Sequence, residues 1–512
     1  MSTPGPTSPT IPISRRAFVA RSAAAAAGIV VSDALPQQTL RAAETAGAAT
    51  TATGPFQTMG TRAGEVTEST AIVWTRLTAR PTRNNEGKPV AQRTQGEPKR
   101  AKGESRVTVP VDQLEGACPG APGRVRLRYS TREDLADAVT TEPLAANADS
   151  DFICEFKLSN LQPGTLYHYS SEPLATDGSP AGTPFRGRFQ TAPAPGAPGN
   201  LRFCVMTCQG YADRGHPDGH AIYPAMHALN PHFTCLTGDL VYYDANDVVA
   251  TNERLARYHW ERMFSLPRLV QFNSQNSTYW LKDDHDTLSN DSGPGAQLGD
   301  LTFAQGQKIF RQQAPMHDDA PPYRTVRWGR DLQVWFTEGR DFRSKNKSPD
   351  GPTKTIWGAE QKAWFKRTVA ESSATWKILV SPTPLVGPDR ANKRDNHSNV
   401  GFQNEGDELR SWIRDNTHSN FFVITGDRHW QYHSVHPETG VHEFSAGPAS
   451  DEHASGSPGE NPKVHKFHRV RGGFLSVTLA PPDSKESKSR ILFEHRDVNG
   501  TVVYSWSSER PV

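Results

Sequence analysis

Between residues 56 and 193 apolar positions fall in short runs with a period of two, cut by glycine, proline and polar clusters. The segments STAIVWTRL (69–77), GRVRLRYS (123–130), DFICEFKLSNL (151–161) and TLYHYSSEP (165–173) alternate or are rich in β-branched and aromatic residues. That pattern predicts half-buried strands and a small all-β sandwich. From residue 199 the pattern changes. LRFCVMTCQ (201–209) and HFTCLTGDL (232–240) are nearly continuous apolar runs, expected of strands covered on both faces, and GHAIYPAMHALN (219–230) between them has helical spacing. This is a βαβ unit, continued by strand patterns at 277–286, 331–340, 376–384 and 421–429 and a helical one at 358–372. Strand after strand ends in polar residues at its C-terminal edge, where open α/β sheets build their sites. The tail, GGFLSVTLA, SRILFEHRD and GTVVYSWS, reads as antiparallel strands closing the second sheet.

Within the β-rich part, LSNLQPGTLYHY (158–169) resembles the corner before a late strand of a fibronectin type III module, with Leu161 packed inward and Tyr167 and Tyr169 alternating along the next strand. Residues 79–105 are polar and basic without periodicity, the pattern of a mobile insertion. TAPAPGAPGN (191–200) is a Pro/Gly linker and marks a boundary between a sandwich at 56–193 and a larger domain at 199–512. At the N-terminus Arg15-Arg16 precedes an Ala-rich apolar segment, Ala17 to Val31, which resembles a Tat export signal. Residues 1–48 are therefore expected to be a signal and linker read by the Tat export machinery, and the protein to be periplasmic or secreted.

Composition narrows the classes. The 512 residues include 57 Lys and Arg against 55 Asp and Glu, too even a balance for a dedicated nucleic-acid binder. Five cysteines are too few for a disulfide scaffold, and whether Cys118 and Cys154 pair stays open. No apolar run after the N-terminus is long enough for a transmembrane helix, so no stable membrane anchor is expected.

The chemistry lies at the strand ends. LTGDLVYYD (236–244) runs an apolar strand into Thr-Gly and then sets Asp239 and Tyr242 three apart; FFVITGDRHWQYH (421–433) repeats the arrangement with Asp427 and His429. DDHD (283–286) places three carboxylates around His285. Side chains alternate along a strand, so Cys208 and Asp239 emerge side by side if their strands are neighbours, while Cys204 and Cys235 lie deeper as inert core thiols. Taken singly, Gly-Asp at a strand end is a common turn and DDHD a solvated acidic turn. Four strand ends bearing oxygen, nitrogen or sulfur donors argue instead for one metal site. A carboxylate bridges two cations, and a thiolate or tyrosinate suits trivalent iron better than calcium.

In order and spacing, Cys208-Gln209, GDLVY, DDHD and GDRH resemble the blocks of the alkaline phosphatase D family, within the calcineurin-like metallophosphoesterases. The resemblance implies an α/β fold, a four-layer α/β/β/α sandwich preceded by a small all-β sandwich domain, and a phosphoester hydrolase using Fe3+ and Ca2+. It places metal ligands on Cys208, Asp239, Tyr242, Asp284, Asp427 and His429. A mechanism follows in which a metal-activated hydroxide attacks phosphorus in line, His285 serves the leaving oxygen, and Arg340 and Arg343 neutralise non-bridging oxygens. A salt bridge under the sheet explains the two arginines equally well. The expected substrate is a small phosphomonoester; a phosphodiesterase or phospholipase D-like reaction on the same site is the alternative, and a secreted binding protein with a relic site a more distant one. Three departures from the family pattern stand out. Glu338 occupies an aspartate position, Ser381 stands where the superfamily has a histidine that His397 could replace from a loop, and Asp286 replaces a glutamate.

Overall fold

A computed structural model describes residues 53–90, 106–317, 320–480 and 488–511; the twin-arginine segment and residues 91–105 lie outside the described residues. Two large sheets face each other. One contains the parallel strands Leu201–Met206, Phe233–Thr237 and Ser277–Leu281, the other the parallel strands Leu332–Phe336, Trp376–Ser381, Phe421–Thr425 and His442–Ala446. Between the sheets lie Phe203, Val205, Phe233, Tyr279, Val334, Phe336, Ile378 and Phe422. The opposite faces of the same strands are covered by helices. Met206, Leu236 and Trp280 pack with residues of the helices Ile222–Ala228, Glu253–Phe264, Pro267–Gln275 and Phe303–Gln313. Trp335, Leu379 and Val423 pack with those of Gly358–Glu371 and Gln403–Asn416. This is the α/β/β/α order, and it explains the unbroken apolar runs: each strand must be apolar on both faces, and each buried Leu or Phe is worth about 1.5–3 kcal/mol.

The tail differs from the expectation. Phe474–Ala480, Lys488–Arg496 and Val502–Pro511 extend the first sheet, with Phe474–Ala480 antiparallel to Leu201–Met206. They cover what would otherwise be an open edge of that sheet, with Leu475, Val477 and Leu479 turned into the inter-sheet core. The second sheet is instead completed by Gln431–Val435 and His465–Arg469.

The N-terminal part is a sandwich, but one of its layers is the far end of the first large sheet. Thr61–Gly64 pairs in parallel with Ser277–Leu281, and Ala71–Arg76 and Ile153–Leu158 continue outward. Their inner face packs through Val73 and Phe156 on Val125, Leu127, Tyr169 and Phe189 of the smaller sheet. At the corner Tyr167 accepts a hydrogen bond at its hydroxyl from the Gln162 amide, 2.9 Å away. Buried ion pairs join the two parts: Arg76 reaches Asp151 at 3.0 Å and Glu261 at 3.3 Å. Residues 79–90 are held too, since the Lys88 amide donates to the Gln113 carbonyl at 2.8 Å and Arg83 pairs with Glu115 at 2.9 Å.

All five cysteines are free and buried. Cys118 and Cys154 sit in different core clusters and form no disulfide. Burial pushes the Cys204 thiol up to about 12, as suits an inert core residue. Among the described residues no helix is long and apolar enough to cross a membrane.

Candidate metal centre

Four strand ends converge. Leu201–Met206 leads into Cys208, Phe233–Thr237 into Asp239, Ser277–Leu281 into Asp283 and Asp284, and Phe421–Thr425, from the other sheet, into Asp427 and His429. Three of these residues have left-handed backbone, with φ of 49° at Cys208, 55° at Asp239 and 62° at Asp427. Such conformations cost about 1–3 kcal/mol each and cluster at functional sites. Glycines make the turns possible. A Cβ on Gly238 would lie 2.6 Å from that of Asp283, and one on Gly426 would lie 2.4 Å from the Thr237 carbonyl.

Asp239 is the hub. It belongs to three groups whose potential ligand atoms lie within 4.8 Å of one another: Cys208, Asp239 and His429; Asp239, Asp284 and His285; Asp239, Asp283 and Asp427. Asp239 Oδ1, Asp283 Oδ2 and Asp284 Oδ1 are buried without a hydrogen-bond partner among the described residues. Leaving such oxygens unpaired is costly unless something cationic meets them. Burial, reinforced by the surrounding carboxylates, pushes Asp239 well above the usual carboxylate range. Burial likewise raises Asp283 to about 6, while Arg340 overcomes burial and holds Asp284 low. Cations would relieve this crowding of like charge, so the donor set fits them. Tyr242 closes the Cys208 side. Its ring lies 4.4 Å from that of His285, and its hydroxyl is hydrogen-bonded to His453 Nε2 at 2.9 Å.

Comparison with known proteins agrees with this geometry. The model of the PhoD-like phosphatase family matches residues 203–472, and that of the PhoD-like phosphatase N-terminal domain matches 41–193. The chain belongs to the PhoD-like phosphatase family. It is a metal-dependent phosphoric ester hydrolase. Its fold is similar to a solved structure of PhoD, with TM-score 0.67 and 18% identity over 91% of this chain and 90% of that one. It is also similar to the purple acid phosphatase PPD1 from yellow lupin (Lupinus luteus) seeds, with TM-score 0.58 and 13% identity over 88% of this chain and 74% of that one. A search of curated proteins found no match.

Around the cluster of this PhoD-like phosphatase lies a second layer of side chains. Arg340 is fully buried beneath the aspartates, donating from Nε to Asp283 and lying 3.5 Å from Asp284. It therefore takes the salt-bridge role and positions those carboxylates. Arg343 donates to the Asp395 carbonyl through one nitrogen, and its Nε and Nη1 have no hydrogen-bond partner among the described residues. Glu338 accepts from Lys282 at 2.9 Å and from the Arg340 amide at 2.6 Å, which stabilises the turn without joining the ligand groups. Asp286 accepts from the amides of Leu240 and Asp283, at 3.2 and 2.7 Å, and ties two ligand-bearing turns together. His397 does not replace the missing histidine: it is held by Glu405 at 2.9 Å and packs edge-on to Trp357. Ser381 donates to the Thr383 carbonyl at 2.7 Å.

Sequence reasoning passed over four residues here. Asp283 belongs to the DDHD motif, but the resemblance does not place a ligand on it. Asp244 takes the His285 Nδ1 at 2.6 Å. His453, from the loop after His442–Ala446, bonds to Asp213 at 2.7 Å, and its ring lies tilted 4.4 Å from that of His429. No spacing rule points at Asp213 or His453; both lie in irregular loops far apart in the chain.

Proposed function

We propose that the chain is an exported hydrolase of phosphomonoesters that works with Fe3+ and Ca2+ at the Asp239 cluster. The observation that carries this is the sharing of one buried carboxylate among three ligand groups. Cys208, Tyr242 and His429 form a side whose thiolate and phenolate donors suit trivalent iron better than calcium, and Asp283, Asp284 and Asp427 the oxygen-only side suited to calcium. Such cations supply charge stabilisation at the phosphoryl oxygens and an activated water. The rest of the chemistry belongs to side chains. Asp244 orients His285 through Nδ1, so that the imidazole meets the leaving oxygen as a proton donor. Arg343 keeps free donors for a phosphoryl oxygen, while Arg340 fixes Asp283 and Asp284. Export rests on the twin arginine at Arg15-Arg16 and the apolar segment after it, which fit delivery by the Tat machinery to the periplasm or the medium.

The test is phosphate and nitrophenol release from p-nitrophenyl phosphate and from bis-p-nitrophenyl phosphate by the purified protein, before and after chelation. We expect the monoester to be the better substrate and chelation to abolish turnover. A clear preference for the diester would transfer the site to phosphodiester chemistry.

A further inference from the structure

Two recesses flank the metal cluster, and they differ in charge. The one beside Tyr242 and His453 is a cavity of about 180 Å3 whose buried cation is already matched, since Arg262 donates to Asp247 at 2.8 Å. The other is a cleft of about 440 Å3 between the loop 289–297 and residues 343–347. Arg343 forms its inner wall, only 6% exposed, with Nε and Nη1 unpartnered among the described residues. A Cβ on Gly293 would lie 3.2 Å from the Arg343 Cγ and Cδ, so glycine lets the loop close on the guanidinium stem. Lys345 and Lys347 line the cleft further out, both exposed and neither in an ion pair among the described residues. The carboxylate in the lining, Asp291, is paired with Lys393 at 3.2 Å.

This cleft adjoins the reaction centre. The Asp291 amide donates to Asp284 at 2.6 Å, and the Asn290 amide to Asp244 at 2.9 Å. A phosphoryl group that meets Arg343 at the cluster therefore has, within one substrate's reach further along the cleft, two lysines, Lys345 and Lys347, that form no ion pair among the described residues. A buried guanidinium with idle donors is costly until an anion meets it. Lysines at the mouth extend the attraction outward as point charges.

We infer that this cleft binds a second anionic group on the substrate, a phosphate or carboxylate carried by the leaving group, so that phosphoesters with two anionic ends are preferred over those with one. The inference rests on the monoester-hydrolase reading above.

The test compares kcat/KM of the metal-loaded full chain for fructose 1,6-bisphosphate and fructose 6-phosphate, in wild type and in Lys345→Glu/Lys347→Glu. We expect wild type to favour the bisphosphate by about tenfold at low salt, the size of one charge-assisted contact and more than the statistical factor of having two phosphates. Added salt is expected to shrink the preference. The double variant should lose it while keeping its metal content. Equal kcat/KM for the two sugars in wild type, or a preference that survives charge reversal, would overturn the inference and leave the hydrolase reading standing. Release of phosphate from neither sugar would overturn both.

Discussion

Cys208, Asp239 and Asp427 each hold a left-handed backbone that non-glycine residues seldom adopt. For Asp239 and Asp427 the sequence showed where the strands end, because Thr-Gly-Asp after an apolar run is a recognisable break. It did not show the conformation, which depends on what crowds each turn. Asp244 is a sharper case. It sits five residues past Asp239, inside the same short segment, yet its partner His285 belongs to another strand end. Burial works against charge on His285, but Asp244, Asp284 and Asp239 outweigh it and hold the imidazole well above the usual histidine range. Removing the Asp244 charge must therefore lower that value. Since a proton donor is lost as pH rises through its pKa, Asp244→Asn should move the alkaline limb of the kcat/KM profile to lower pH. It should also reduce kcat by about 100-fold, with bound metal unchanged. An alkaline limb that stays in place would remove the proton-donor role from His285.

At the scale of elements, strands were legible and several helices were not. Apolar runs bounded by Gly, Pro or an acidic cluster marked Leu201–Met206, Phe233–Thr237, Ser277–Leu281 and Phe421–Thr425. Glu253–Phe264 and Phe303–Gln313 carry no clean helical pattern because their apolar faces are interrupted by buried polar residues such as His259, Glu261 and Gln313. A readable signal did exist at Thr302, whose side chain and that of Gln305 form a capping box. The strands Gln431–Val435, His442–Ala446 and Lys488–Arg496 bring together an unforeseen histidine cluster. His433 Nε2 lies 2.9 Å from His442 Nδ1, and His495 bonds to the Ser445 carbonyl at 3.0 Å. Burial, with neighbouring cationic groups, lowers His433 to about 2 and His442 and His495 to about 4. The folded state thus refuses protons that the unfolded chain accepts below about 6.5. Stability that is complete above that value is lost as pH falls from about 6.5 towards about 4. We expect the urea midpoint to drop across this window, and His442→Asn to lessen the drop relative to wild type. Identical pH slopes in the two proteins would show that the cluster contributes nothing to acid sensitivity.

For the molecule as a whole, the Pro/Gly segment at 191–200 reads in the sequence as a linker. What the chain does around that linker was not legible. Ala63 pairs with Ser277 across about two fifths of the chain before the cluster's third strand end is reached, and a register between segments so distant leaves no local pattern. The buried contacts of Arg62 and Arg76, one stacked between Trp74 and Phe264 and the other paired with Asp151 and Glu261, were hidden for the same reason. The family resemblance, by contrast, carried the four-layer order, because its motifs are tied to strand ends. Those ends come from both sheets, and a single carboxylate joins what they deliver. Elemental analysis of Asp239→Asn beside Cys208→Ser and wild type tests that most directly. We expect wild type to hold more than one cation per chain, Cys208→Ser to lose only the cation on its own side, and Asp239→Asn to lose all of them with its circular dichroism unchanged. An Asp239→Asn protein that retains the full complement of metals would contradict the shared-carboxylate centre.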